Sequence, residues 1–169
     1  MNLQKDLLEF IGLHLQKHNE TVSIAESVTA GFLQFSFSQI KDASELFKGG
    51  LTAYTLEEKV KLLHVDEHEA RLYDCVSPKI AGTMALNVSQ LFNTDWGIAV
   101  TGYATPVEES GYKLFAYFSF AYKSEIILTR KMDLYHRKES IDAQLCYSKF
   151  ILECLKVEME KQSVQQQKL

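Results

Sequence analysis

Val22-Ser23-Ile24-Ala25-Glu26-Ser27-Val28-Thr29-Ala30-Gly31 and, after an intervening helical pattern, Gly49-Gly50-Leu51-Thr52-Ala53-Tyr54-Thr55-Leu56-Glu57-Glu58-Lys59 are the two pieces of sequence on which the fold turns. Each carries a short apolar run of β type and leads into a helical pattern. Ser27 is thereby set beside the amide-rich start of one helix, and Tyr54 and Lys59 at the start of another. Thr55 and Glu58 have the spacing of a capping box, so Lys59 falls in the first turns of a helix that continues through Leu62 and Leu63. If the two strand ends are neighbours, Ser27, Tyr54 and Lys59 meet in one pocket. A serine with a lysine nearby is a workable nucleophile and base for splitting amides.

Outward from this region the pattern alternates. Leu3, Leu7, Leu8, Ile11 and Leu15 repeat at three- and four-residue steps, which predicts a helix over 2–18. Val22 to Ala25 reads as a short buried strand, Thr29 to Ile40 as a helix, and Asp42 to Phe47 as a further helix start. Gly49-Gly50 breaks that pattern before a strand at Leu51–Tyr54. Ser77 and Pro78 suit the N-cap and first position of a helix whose face carries Ile80, Met84, Val88 and Leu91. Trp96 to Thr101 is an apolar run of the kind buried on both sheet faces.

Tyr112–Tyr122 and Glu125–Tyr135, joined by the polar Lys123-Ser124-Glu125, read as an antiparallel hairpin. Ile141, Leu145, Leu152, Leu155 and Met159 mark a long final helix, with 162–169 expected to fray. The expected fold is therefore α/β: a three-layer α/β/α sandwich with a mixed sheet and a late antiparallel hairpin, one domain over 1–161. The aromatics of the hairpin occupy both faces by alternation. Helices on both faces would cover them, and a self-association surface making a homo-oligomer is the alternative.

Composition narrows the function classes. The chain has 169 residues, 46% of them hydrophobic and 24% charged, with a formal net charge of −4. That balance argues against nucleic acid or an anionic membrane surface as the main partner. No segment approaches the ~20 apolar residues of a membrane span. Cys75, Cys146 and Cys154 are too few and scattered for a disulfide framework or a zinc site, and a polar start without a signal peptide makes the cytoplasm the expected location. His64 and His68 stand four apart but lack a third ligand, so neither metal nor cofactor is expected.

Each candidate also has an ordinary role. Ser27 is the usual kind of helix N-cap, Lys59 the usual kind of solvated surface lysine, and Tyr54 the usual packed aromatic. Cys75 reads as core. Thr101-Gly102-Tyr103-Ala104-Thr105-Pro106 is either a plain strand exit or a ligand loop, since open α/β sheets bind beyond the carboxyl ends of their strands.

Four motifs in register resemble the C-terminal domain of the CinA family, found alone in bacterial nicotinamide-nucleotide amidases. The family's A-E-S-x-T-G-G stands here as Ala25-Glu26-Ser27-Val28-Thr29-Ala30-Gly31. Its G-G-x-x-x-Y-x-x-E-x-K is met by Gly49, Gly50, Tyr54, Glu57 and Lys59, with Thr55 in place of the usual serine. A V-S helix start is Val76-Ser77, and A-V-T-G is Ala99-Val100-Thr101-Gly102. The resemblance spans roughly residues 5–155.

That resemblance implies an amide hydrolase that deamidates nicotinamide mononucleotide to nicotinate mononucleotide and ammonia, without cofactor. Ser27 would be the nucleophile, Lys59 its base and Tyr54 the partner orienting both. Amides around Thr29, Ala30 and Gly31 would hold the oxyanion. Gly49, Gly50, Thr101, Gly102, Thr105 and Arg137 would contribute to substrate binding. The chain also departs from the pattern. Where the family continues T-G-I-A-G-P with a glycine-rich loop, this chain has no glycine until Gly111 and carries Glu108-Glu109, which would repel a phosphate. Asp142 stands where a second arginine is expected. A catalytically impaired relative acting as an oligomeric binding module is therefore the competing expectation.

Overall fold

The computed structural model describes residues 5–135 and 139–166; the expected ligand Arg137 lies outside the described residues. Five strands form one mixed sheet in the order β2-β1-β3-β4-β5. The strands are β1 (Val22–Glu26), β2 (Phe47–Thr52), β3 (Trp96–Gly102), β4 (Leu114–Tyr122) and β5 (Glu125–Leu134). β1 pairs in parallel with both β2 and β3, while β3–β4 and β4–β5 are antiparallel. The carboxyl ends of β1, β2 and β3 therefore open on one edge, the edge where α/β sheets take ligands.

Helices cover both faces. Large residues of β1 and β3 (Ile24, Ile98, Val100) pack with α1 (Lys5–His18), α2 (Phe32–Ser38) and α7 (Ser140–Gln166). Their opposite faces are small: Ala25 and Ala99 meet α4 (Leu56–Leu63) and α6 (Pro78–Phe92). The alternation places bulk on one side and lets α6 approach the sheet closely on the other. At Gly97 that approach is extreme, because a β-carbon there would stand 2.0 Å from the Ala85 carbonyl oxygen.

Two segments differ from the reading of the sequence. Gly49-Gly50, expected as a break, lies inside β2, paired with Ser23 and Ile24. The reason is space: a β-carbon on Gly49 would come 2.6 Å from the Phe92 ring, and one on Gly50 2.6 Å from the Ile24 carbonyl oxygen. These two glycines serve close packing of β2, and neither lines the candidate site described below. The second difference is α7, which continues to Gln166 through part of the stretch expected to fray.

The hairpin forms as expected, and Phe118 and Phe120 of β4 are fully buried against the α1/α7 layer. His64 closes α4 in a left-handed conformation, whereas His68 belongs to α5 (Glu67–Leu72). No cluster of three or more metal-ligating side chains occurs among the described residues, and no described helix is long and apolar enough to cross a membrane.

Candidate active site

The site begins where β1 ends. The Ser27 amide donates to the Val100 carbonyl at 3.1 Å and the Ala53 amide to the Glu26 carbonyl at 2.9 Å, so the three parallel strand ends are tied at this level. Glu26 is fully buried. Its carboxylate accepts from the Thr29 hydroxyl at 2.5 Å, the Gly31 and Leu33 amides at 3.1 Å, and the Gln34 amide at 2.8 Å. It thereby satisfies the orphan donors at the start of α2, where the helix also favours negative charge. Ala30 and Gly31 bend the turn through left-handed backbone, at φ 51° and 104°.

This arrangement changes two expectations. Ser27 is not the cap of α2: Gly31 holds that position, and Glu26 supplies the acceptor. The Ala30 amide is spent on the Ser27 carbonyl and the Gly31 amide on Glu26, so neither is available to an oxyanion. Thr29 is fully buried and braces Glu26. Val28 does line the cavity, and its N–H has no partner among the described residues.

Lys59 comes from the other side. Thr55 caps α4 by accepting from the Glu58 amide, and one turn later Lys59 points inward with only 2% of its surface exposed. Its Nζ donates to Ser27 Oγ at 3.0 Å and to the Tyr54 main-chain carbonyl at 3.4 Å. Among the described residues it forms no ion pair. Burial holds its pKa below the ordinary lysine value, partly opposed by Cys75 and Asp74 nearby. Tyr54 thus contacts the amine through its backbone. The residue is 66% exposed at the cavity wall, and its phenol makes no hydrogen bond to Ser27 or Lys59 of the kind expected from the sequence.

The three residues border a cavity of about 410 Å³. Its lining includes Thr101, Gly102 and Thr105 at the exit of β3, buried Cys75, exposed Asp74, and Gln144 of α7. Thr101 is buried, and its hydroxyl donates to the Cys75 carbonyl at 2.8 Å, pinning the α5–α6 connection to the strand end. Tyr147 of α7 donates to the Tyr103 carbonyl at 2.9 Å and fixes the loop after β3. Glu108 and Glu109 are exposed and do not line the cavity, although Glu109 acts electrostatically on Tyr103 in its lining. Asp142 is likewise exposed and outside the lining. Sequence reasoning passed over Glu26, Asp74 and Tyr103; the acid directly before Ser27 was the available signal for the first.

The CinA C-terminal domain model matches residues 4–157. The chain belongs to this family. A CinA-like protein of Rippkaea orientalis is 42% identical over 100 residues, which are 59% of this chain and 24% of that relative. A putative competence-damage inducible protein of Streptococcus agalactiae is 40% identical over 98 residues, 58% of this chain and 23% of the relative. These alignments span about a quarter of the curated relatives' length. Among solved structures, a competence-damaged protein (CinA) superfamily member from Klebsiella pneumoniae superposes with a TM-score of 0.87 at 21% identity, covering 95% of this chain and 99% of that one. A competence/damage inducible protein from Agrobacterium tumefaciens gives 0.83 at 20% identity, over 95% and 97% of the two chains. At such identities the likeness is one of fold, and the CinA domain fold is what it establishes.

Proposed function

We propose that this CinA domain is an amide hydrolase that deamidates nicotinamide mononucleotide or a related nicotinamide compound, using Ser27 as nucleophile and Lys59 as general base. One observation carries the reading: a buried lysine without an ion pair, held 3.0 Å from a serine hydroxyl at a cavity wall. An ammonium in that position has no ion-paired carboxylate, and the opposing pull of Cys75 and Asp74 nearby only partly offsets its desolvation, so the neutral amine is favoured and can accept a proton.

In the proposed reaction neutral Lys59 takes the Ser27 proton as Oγ bonds to the carboxamide carbon. The carbonyl oxygen becomes an oxyanion, for which the Val28 amide in the cavity lining is an unspent donor on the turn. The tetrahedral intermediate collapses, the C–N bond breaks, and Lys59 returns the proton to the departing ammonia. Water, deprotonated by the same amine, then cleaves the acyl ester. The carboxylate product leaves and Ser27 regains its proton.

The test is ammonia release from nicotinamide mononucleotide by the native chain, by Ser27→Ala and by Lys59→Ala. Release by the native chain that both substitutions abolish supports the reading. Absence of release in the native chain, or indifference to both substitutions, rejects it. The competing reading, a binding module without turnover, is favoured by the occupied Ala30 and Gly31 amides and the exposure of Tyr54. Under it the nucleotide binds without ammonia appearing.

A further inference from the structure

Asp74 and Cys75 are consecutive non-glycine residues in left-handed backbone, at φ 47° and 61°. Such pairs persist only where the surroundings over-determine them, and they concentrate at ligand sites. Here the surroundings are visible. The Cys75 amide donates to the Ala70 carbonyl at 2.8 Å, the Val76 amide to the Tyr73 carbonyl at 2.8 Å, and the Thr101 hydroxyl to the Cys75 carbonyl. The turn they lock presents the Asp74 carboxylate at the rim of the cavity. Tyr103, across the rim, donates its hydroxyl to Asp74 Oδ2 at 3.0 Å, while Oδ1 accepts nothing from the described residues.

We propose that Asp74 is a specificity-determining residue that selects a positively charged ring, so that the amide taken by this site is an N1-substituted pyridinium carboxamide in preference to a neutral one. The assignment rests on the hydrolase reading for its chemistry and extends it to the substrate's charge. Lys59 and Asp74 are the two formally charged side chains among the described lining residues. For Lys59 to act as a base it must be neutral, and the cavity then carries one negative charge, at Asp74. A pyridinium ring bears one positive charge and complements it; a neutral ring offers no such compensation. The Tyr103 hydroxyl bond holds the Asp74 side chain in place, and Asp74 in turn pushes the Tyr103 phenol above its usual range, after the larger effect of burial.

Nicotinamide mononucleotide and its 1,4-dihydro form share size and phosphate but differ in ring charge, and they serve as the probe pair. The readout is the ratio of kcat/KM for ammonia release from the two. Asp74→Asn is expected to lower the cation-to-neutral ratio about fivefold, carried by KM of the cationic form, as befits a rim charge partly screened by solvent. Tyr103→Phe, which keeps the carboxylate, should hold the ratio within about twofold. An unchanged ratio in Asp74→Asn, or an equal loss on both probes, would overturn the assignment. Calorimetry on Ser27→Ala and Ser27→Ala/Asp74→Asn separates this from failure of the hydrolase reading. If no ammonia is ever released but the oxidised probe still binds about fivefold more tightly and loses that margin with Asp74, the selection stands alone. Equal binding of the two probes, or binding of neither, sinks it.

Discussion

Glu26 and Ser27 are adjacent in the chain and serve opposite faces of the sheet. The carboxylate turns into the start of α2, on the α1/α7 side, and the hydroxyl meets Lys59 of α4, on the α6 side. One peptide unit thus joins the brace of the turn to its chemistry. Replacing Glu26 by Gln puts an NH2 group among four donors and removes the charge they share. The expected loss is about 2–4 kcal/mol in denaturant unfolding. A midpoint within experimental scatter of the native chain's would show that the carboxylate braces nothing.

Under the proposed hydrolysis, Ser27→Ala removes the nucleophile and Lys59→Met the base, with little change in volume. Each is expected to lower ammonia release by at least about 10³-fold, and the double variant to fall little further, since the two act as a unit. Multiplicative losses in steady-state kinetics would mean that the residues work independently.

Protonation of Lys59 links activity and stability to pH. Its folded pKa lies below the ordinary lysine value of 10.5, so catalysis should rise with pH as the amine becomes neutral, with a midpoint under that value. Between the folded and unfolded pKa values the unfolded chain binds more protons, so stability also rises with pH across that window. Below the folded pKa the burial cost is present in full. Lys59→Met should flatten this slope in urea titrations taken at successive pH values, and a slope that survives would assign it to another group.

Glu20 marks a second titration at the opposite end of the sheet. Burial pushes its pKa up, but bonds from His14, Trp96 and Tyr122 outweigh that and bring it from 4.5 to about 2. Trp96 Nε1 donates at 2.7 Å and the Tyr122 hydroxyl at 2.6 Å. The stabilisation is complete above the unfolded value and is lost as pH falls from about 4.5 to about 2. It amounts to something on the order of 3 kcal/mol. Glu20→Gln should therefore destabilise the chain at neutral pH and reduce the acid dependence of unfolding, followed by Trp96 fluorescence.

Gly97→Ala places a methyl against the Ala85 carbonyl and must push α6 off the sheet. A loss of about 2–4 kcal/mol is expected in thermal or denaturant unfolding, with the Ser27–Lys59 site disturbed only through α6. Native-like stability would mean that α6 shifts freely.

Much of the architecture was legible because it is written locally. Ser77 and Pro78 start α6 as read, and Ser77 accepts from the Ile80 amide at 3.2 Å. The run at Trp96 forms a strand buried on both faces, and Lys123-Ser124 turns the hairpin through two left-handed residues. Gly49-Gly50 misled because a glycine pair has the same letters in a break as in a strand pressed against a phenylalanine. Two of the expected oxyanion donors, the Ala30 and Gly31 amides, prove occupied for a related reason. Whether an amide is free depends on the acceptor that reaches it, and Glu26 reaches three in α2 and its approach.

By itself the sequence determined the alternation of strands and helices, the caps that start α4 and α6, and the presence of a serine and a lysine near the starts of two helices. Those features depend on interactions within about four residues along the chain. Only the tertiary structure decided that Lys59 is buried, that its amine meets Ser27 across 32 positions, that Tyr54 lends its carbonyl and not its phenol, and that Asp74 faces Tyr103 across the rim. Each of these depends on which strand ends lie side by side, and on how closely α4 and the α5–α6 turn pack over them. That is a property of the assembled sheet and of no shorter segment.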